Sequence, residues 1–115
     1  TGGYRLSLME TARLQKEQSS VRIRQKRDEI QKDIVSIRLR MEEARESIET
    51  ARAMEAAAIR ASSLAISAFE NGLGTRLSVS EANTNLSGAR LNLQNAIFAY
   101  RSAWYDWEFA TGQYE

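Results

Sequence analysis

Apolar side chains recur at alternating steps of three and four residues along most of this chain, and no proline interrupts them. In the first half the pattern runs from Ile23 to Phe69, and in the second half it runs from Val79 to Ala110. This spacing is the heptad repeat of coiled-coil helices, whose a and d positions form one apolar seam. The pattern therefore predicts an all-α fold built from two long coiled-coil helices.

Large and small side chains alternate along the predicted seam of the second half, where alanine occupies every second position. Small side chains let two backbones approach closely, with a large side chain of one helix lying over an alanine of the other. The two seams are therefore predicted to pack against each other. The predicted seam positions are Ile23, Arg27, Ile30, Ile34, Ile37, Met41, Ala44, Ile48, Ala51, Glu55, Ala58, Ser62, Ala65 and Phe69, followed by Val79, Ala82, Leu86, Ala89, Leu93, Ala96, Tyr100, Ala103, Trp107 and Ala110.

The interruption between the two seams contains two of the chain's six glycines. Asn71 and Gly72 can end a helix, because these residue types reach the left-handed backbone conformation of a C′ position at little cost. Ser78 and Glu81 have the spacing of a capping box, which begins a helix. These signals predict one hairpin domain over residues 1–115, with a long helix over 6–71, a tip loop over 72–78 and a return helix over 79–111.

Folding the chain about residue 74 brings the two seams together as an antiparallel hairpin with one long and one half-length helix. Positions whose numbers sum to about 148 then pair, which sets Met41 near Trp107 and Ile48 near Tyr100. The short return helix leaves residues 6–33 without a partner in the chain. We therefore expect another segment or another chain to cover this part of the long helix.

Polar residues interrupt the seam where no partner helix is available. These residues are Arg13, Lys16 and Ser20. The first third of the chain is therefore predicted either to fray or to associate with another copy when the chain is alone.

The composition argues against catalysis and against nucleic-acid binding. The chain has no Cys and no His, so it has no thiol nucleophile, no imidazole base and no thiolate or imidazole metal ligand. Its 16 basic and 15 acidic side chains nearly balance, and the basic residues 22–27 are followed by acidic ones at helical pairing distance. Glu42, Glu43, Glu46 and Glu49 have the same surface-pairing spacing. No enzyme activity, metal or cofactor is predicted.

Seven of the nine aromatic residues lie between Phe98 and Tyr114. Tyr100 and Trp107 fall on the seam, whereas Phe98, Trp104, Tyr105 and Phe109 are spread around the helix. An aromatic helix end of this kind is predicted to contact more than one neighbour. The chain has no initiator Met, no signal peptide and no long apolar span, so we expect it to be a segment of a longer protein.

Several motifs, in this order, resemble those of the TolC-type outer membrane efflux proteins. Phe69 and Gly72 stand for an aromatic and a glycine at the tip, and residues 77–82 for a segment like Leu-Asp-Val-Leu-Asp-Ala. Ser78 and Ser80 replace that segment's first Asp and second Leu. Residues 89–96, Tyr100 and residues 110–112 are similar to the family's return helix, and residues 2–5 look like its junction between a barrel strand and the long helix.

The resemblance implies a trimeric duct that carries drugs or secreted products across the periplasm and the outer membrane. This hairpin would then be periplasmic, and its tip would dock a periplasmic adaptor protein that links it indirectly to an inner-membrane pump. The implied tip contacts are Gly72, Leu73, Gly74, Thr75, Arg76, Leu77 and Ser78, with Arg76 as the charged contact. Glu81 would face the duct near its gate.

Two alternatives remain open at this point. The hairpin could belong to an adaptor protein of the same transport system, although adaptor hairpins usually have arms of similar length. It could also be a structural coiled-coil arm with no transport role. A barrel or a signal peptide in the parent gene would distinguish these possibilities from the duct.

Overall fold

The computed structural model describes residues 2–112, which form two α-helices joined by a short loop. Helix α1 spans Gly2–Glu70 with 69 residues, and helix α2 spans Arg76–Gly112 with 37 residues. The helices lie antiparallel as a rod of 105 × 20 × 14 Å. The predicted all-α hairpin with one long and one half-length helix is confirmed. Thr1 and Tyr114 lie outside the described residues.

Burial follows the predicted heptad seam. Within residues 2–112, the buried residues are Ala44, Ala51, Ser62, Ala89, Leu93, Ala103 and Ala110, and all seven are predicted seam positions. Five of them are alanines, and Ala103 is the least exposed at 1%. Because alanine has a short side chain, these layers hold the two helix backbones close together.

The register of the two helices differs from the prediction by two to three residues. The Ser62 hydroxyl donates a hydrogen bond to Asn83 Oδ1 at 2.7 Å, and Arg40 forms an ion pair with Asp106. The predicted register would set these two α1 residues near positions 86 and 108. The two contacts therefore place the pairing two to three residues from the predicted sum of about 148.

The helix bounds also differ from the predicted ones. Helix α1 already includes Gly2, because the cost of about 1 kcal/mol for a helical glycine does not end a helix by itself. Helix α1 ends at Glu70, one residue before its predicted end at residue 71. Helix α2 ends at Gly112, one residue beyond its predicted end at residue 111. Helix α2 begins at Arg76, three residues earlier than predicted, because Thr75 caps it.

The first part of α1 packs against no other part of residues 2–112, as the sequence predicts. Every residue from 2 to 29 is exposed, and the first partly buried residue is Ile30. We call residues 2–29 the overhang, which has a length of about 42 Å at 1.5 Å per residue. Its apolar side chains Leu6, Met9 and Ile23 are all exposed. Within residues 2–112, neither helix has an apolar stretch long enough to span a bilayer.

Candidate functional site

The end of α1 at the tip is closed by a Schellman motif. Gly72 has φ 73°, and its amide donates to the Phe69 carbonyl at 3.1 Å. The Leu73 amide donates to the Ala68 carbonyl at 2.8 Å, and the Asn71 side chain donates to the Ser67 carbonyl at 2.8 Å. These bonds satisfy carbonyls that the helix end would otherwise leave unpaired. The predicted left-handed C′ residue is confirmed at Gly72.

Gly74 allows the loop to pass very close to the end of α1. Its amide donates to the Ala68 carbonyl at 3.1 Å. A Cβ at this position would lie 3.1 Å from the Ala68 Cβ and 3.2 Å from the Phe69 amide nitrogen. A larger residue would therefore push the loop away from the helix, so Gly74 keeps the tip compact.

Helix α2 is capped by Thr75, which explains its early start. The Thr75 hydroxyl oxygen accepts a hydrogen bond from the Ser78 amide at 3.0 Å and lies 2.9 Å from the Ser78 hydroxyl. Threonine is a favourable N-cap residue because it satisfies an amide of the first turn. The predicted capping box of Ser78 and Glu81 was therefore wrong. Glu81 is exposed in α2 and has no capping role.

The predicted tip residues divide between the loop and the first turn of α2. Gly72, Leu73, Gly74 and Thr75 lie in the loop, whereas Arg76, Leu77 and Ser78 lie in the helix, contrary to the predicted loop over 72–78. The most exposed apolar side chains of the tip are Leu73 at 86% and Leu77 at 67%. The end of the rod therefore presents two leucines beside the exposed Arg76.

Arg76 occupies an electrostatically unfavourable position. It is the first residue of α2, and the first turn of this helix contains no acidic residue. The N-terminal end of a helix carries partial positive charge, so a cation there costs stability and an anion adds it. The local structure therefore gives no stabilising reason for an arginine at this position.

Helix α2 has a second apolar stripe on its outer face, away from α1. We call it the α2 outer stripe, and it consists of Leu77, Leu91, Phe98 and Tyr105, all of them exposed. These residues are separated by multiples of seven, so they share heptad position f, which lies nearly opposite the a and d seam. The stripe was not predicted, although its seven-residue spacing is visible in the sequence.

Helix α1 has a corresponding stripe on its own outer face. The α1 outer stripe consists of Leu14, Val21, Val35 and Leu39, and all four side chains are exposed. They occupy heptad positions b and f, again nearly opposite the seam. The hairpin therefore has an apolar stripe on the outer edge of α2 and another on the outer edge of α1 that ends at Leu39. Beyond Leu39 the same heptad positions of α1 carry charged residues such as Glu42 and Glu46.

The aromatic side chains of α2 divide between the seam and the surface. Tyr100 and Trp107 are partly buried against α1, whereas Phe98, Tyr105 and Phe109 are exposed by more than 70%. This division agrees with the predicted positions around the helix. Contact with more than one neighbour stays a prediction.

Charged side chains elsewhere on α1 form ordinary surface pairs. Arg45 donates to Glu42 at 3.2 Å, and this bond, followed by the charges of Glu42 and Glu49, raises the pKa of Arg45 above its usual value. Lys26 lies 3.8 Å from Glu29. Such exposed pairs contribute little to stability. In the described part of the chain, no group of three or more acidic residues could hold a metal ion.

A comparison with known families identifies one match. The family described as "Outer membrane efflux protein" matches residues 1–113. No curated protein and no solved structure matches the chain. The family match covers both helices and the tip, so it concerns the hairpin as a whole and not a single motif.

Proposed function

Because this chain belongs to the outer membrane efflux protein family, we propose that its hairpin forms part of the wall of a helical tunnel in the periplasm. The family match identifies the chain as a component of an outer membrane efflux duct. The tunnel itself, its trimeric assembly and the docking of an adaptor at the tip belong to the proposal. No catalytic role is proposed.

The observation that carries the wall proposal is the pair of apolar stripes on the outer edges. A free-standing two-helix arm needs only the inner seam, and its outer faces would be expected to be polar. Here α2 exposes apolar side chains on the face opposite the seam between Leu77 and Tyr105, and α1 does so between Leu14 and Leu39. Such helices are suited to a neighbour on each side.

The two stripes meet end to end along the rod and do not overlap in height, since the α1 stripe ends at Leu39 and the α2 stripe ends at Tyr105. Arg40 pairs with Asp106, so Leu39 on one outer edge lies within about 3 Å in height of Tyr105 on the other. Hairpins that stand side by side in the same direction would therefore bring Tyr105 of one against Leu39 of the next. A repeated contact between two different faces of this kind closes into a ring when the rotation between neighbours permits it.

The tip is the proposed docking site for the periplasmic adaptor. It lies at one end of a rod, and its loop is held rigidly by the Schellman motif and the Thr75 cap. Leu73 and Leu77 offer apolar contacts, and Arg76 offers a charge whose position costs the helix stability. Gly72, Gly74, Thr75 and Ser78 complete the same surface.

Glu81 is proposed to face the interior of the duct near its gate. Its side chain is exposed, and the Ser78 amide that it was expected to cap is already paired with Thr75. The residue is therefore available for a role outside the hairpin. The family resemblance, in which an acidic residue belongs to this tip segment, supports the assignment.

The adaptor hairpin and the structural arm are less well supported. The family match concerns efflux proteins and not adaptors. The arms of 69 and 37 residues are also unequal, whereas adaptor hairpins usually have arms of similar length. The exposed outer stripes have no role in a free-standing arm.

The wall proposal is tested by placing charges on the α2 outer stripe. In the complete efflux protein, Phe98→Glu with Tyr105→Glu should abolish assembly and export, because two carboxylates would be buried between hairpins. Assembly is measured by crosslinking between subunits, and export by the accumulation of a fluorescent substrate in cells. The matched control, Phe98→Tyr with Tyr105→Phe, keeps the stripe and should keep both. Normal assembly and export by the charged variant would contradict the proposal.

A further inference from the structure

The alanines of the seam repeat so evenly that they do not by themselves fix the register of the two helices. Position d is alanine in five successive heptads of α2 and in four successive heptads of α1. These residues are Ala82, Ala89, Ala96, Ala103 and Ala110 in α2 and Ala44, Ala51, Ala58 and Ala65 in α1. A shift of one helix by a whole heptad would set most of these alanines against the same kind of position again.

The tip also permits a shifted hairpin. Ser78 and Glu81 have the spacing of a capping box, three residues after the Thr75 cap that the structure uses. If α2 began after Ser78 and α1 ended about one turn later, one helix would move about 10 Å along the other. We call this arrangement the shifted register. Other residues than the alanines and the caps must therefore select the observed one.

A row of pairs beside the alanines distinguishes the two registers. The Ser62 hydroxyl, at position a of α1, donates to Asn83 Oδ1, at position e of α2, at 2.7 Å. Each heptad further from the tip sets the next a residue of α1 level with the next e residue of α2. The pairs are Ser62 with Asn83, Glu55 with Arg90, Ile48 with Ile97 and Met41 with Trp104. The ion pair of Arg40 with Asp106 keeps the same register to within one residue.

The residues of each of these four pairs match in character, since two pairs are polar and two are apolar. Ser62 is 6% exposed and Glu55 is partly buried, so both polar α1 residues lie in the seam. Arg90 has no acidic residue three or four positions away in α2, so Glu55 is the carboxylate that the register brings to its height. The ion pairs within residues 2–112 do not include Glu55 or Arg90, so their effect on the register depends on which residues they are set beside.

A shift by one heptad in either direction would break this match. The shifted register would set Glu55 level with Ile97 and Arg90 level with the buried Ser62. A shift in the opposite direction would set Arg90 level with Ile48. A charged group that loses water beside an apolar side chain, without gaining a partner, is costly. Such penalties in the wrong arrangements are an effective source of specificity.

We propose that Glu55, Ser62, Asn83 and Arg90 select the register of the hairpin, whereas the alanine layers stabilise it without choosing the register. Polar residues at position a of a coiled coil can act in this way. The register decides how far the tip lies from the end of α2 and which residues of the two outer edges stand at the same height. This inference concerns packing inside one hairpin and does not depend on the transport role.

The register can be measured with pairs of cysteines, because the 115-residue chain has no Cys of its own. Ser47 and Ala99 lie one heptad along from Arg40 and Asp106, so S47C/A99C should crosslink on oxidation in the observed register. M54C/A99C brings its two cysteines to the same height only in the shifted register. Oxidation at a concentration where sedimentation shows a monomer restricts both crosslinks to one chain. The otherwise unaltered chain should form only the first crosslink.

The decisive variant replaces the four selecting residues by isoleucine. In E55I/S62I/N83I/R90I the polar residues that distinguish the registers are gone, so we expect the yield of the M54C/A99C crosslink to rise by about tenfold or more. The control E46I/R101I removes one acidic and one basic residue at exposed positions away from these pairs, so it should leave both yields unchanged. Circular dichroism of each variant shows whether its helices are intact.

Charge reversal tests the contribution of Glu55 and Arg90 separately. E55R sets two arginines at the same height, whereas E55R/R90E restores opposite charges. We expect the yield of the S47C/A99C crosslink to fall by about twofold or more in E55R and to recover in E55R/R90E.

Two outcomes would overturn the proposal. The first is an isoleucine variant that is helical by circular dichroism and still crosslinks only through S47C/A99C. The second is an equal yield of that crosslink in E55R and in E55R/R90E. Neither outcome bears on export by the assembled duct.

Discussion

Substitution by alanine is expected to lower the stability of the hairpin at Gly72 and to raise it at Gly88. Gly72→Ala should destabilise the hairpin by about 1 kcal/mol, because φ 73° is unfavourable for a residue with a Cβ. Gly88 lies inside α2 with open space around its Cβ position, so Gly88→Ala should stabilise the hairpin by about 1 kcal/mol. Urea unfolding followed by circular dichroism measures both changes. Shifts of the same sign would contradict the tip geometry.

Substitution of Arg76 is expected to change the stability of the hairpin and export by the complete protein in opposite directions. Arg76→Glu should stabilise the hairpin by about 0.3–1 kcal/mol, because an acidic residue in the first turn suits the helix dipole. In the complete efflux protein the same change should reduce export and crosslinking to the adaptor, because it reverses the proposed docking charge. Arg76→Lys keeps the charge and serves as the control. Unchanged export and crosslinking in the Glu variant would remove Arg76 from the docking site.

The tip also shows which single-residue features the sequence could predict. The left-handed Gly72 was predictable, because few residue types reach that conformation cheaply. The start of α2 was not, because Thr75 and Ser78 are both good cap residues and lie three positions apart. The sequence favoured Ser78 because Glu81 completes a box, whereas the structure uses Thr75, which lies directly after the Gly74 contact with α1.

At the scale of the helices, the alanine layers set the distance between α1 and α2. Ala103→Leu should destabilise the hairpin by about 1–3 kcal/mol, because Ala103 is 1% exposed and a larger side chain would force the backbones apart. The control Ala99→Leu changes an exposed position of the same helix and should have little effect. Unfolding free energies of the two variants provide the test. Equal effects would show that the seam tolerates a larger spacing.

The seam was predictable in its residues but not in its register. Heptad spacing identifies which side chains face the partner helix, since that depends on one helix at a time. The position of one helix along the other depends on how the a and d residues of both helices fit together. The length of the loop alone left this position uncertain by about one helical turn. The contacts of Ser62 with Asn83 and of Arg40 with Asp106 resolve that uncertainty.

The whole molecule should show a gradient of local stability along its length. Amide hydrogen exchange of the chain alone is expected to be fast in the overhang and slow from Met41 to Glu70 and from Val79 to Ala110, because only the paired parts bury their seams. Mass spectrometry of exchanged peptides, at a concentration where sedimentation shows a monomer, makes the measurement. Uniform high protection from Leu8 to Glu29 in that monomer would contradict the unpaired state of the overhang.

The outer stripes are the part of the molecule that the sequence analysis did not recognise. The prediction followed the seam, and it described Phe98 and Tyr105 only as spread around the aromatic end of the return helix. Their alignment becomes evident only when the face that packs on the other helix is known, because position f is then seen to be free. The seven-residue spacing of Leu91, Phe98 and Tyr105 is nevertheless present in the sequence.

The alanine-rich seam has a mechanical consequence. Bending the paired region would require α1 and α2 to shear past each other, and closely spaced backbones resist that motion. Ser62 with Asn83 near the tip and Arg40 with Asp106 near the opposite end of α2 tie the two helices together at two distant heights. The paired region therefore moves as one rigid body. A small tilt at its end opposite the tip produces a larger sideways displacement of Leu73, Arg76 and Leu77.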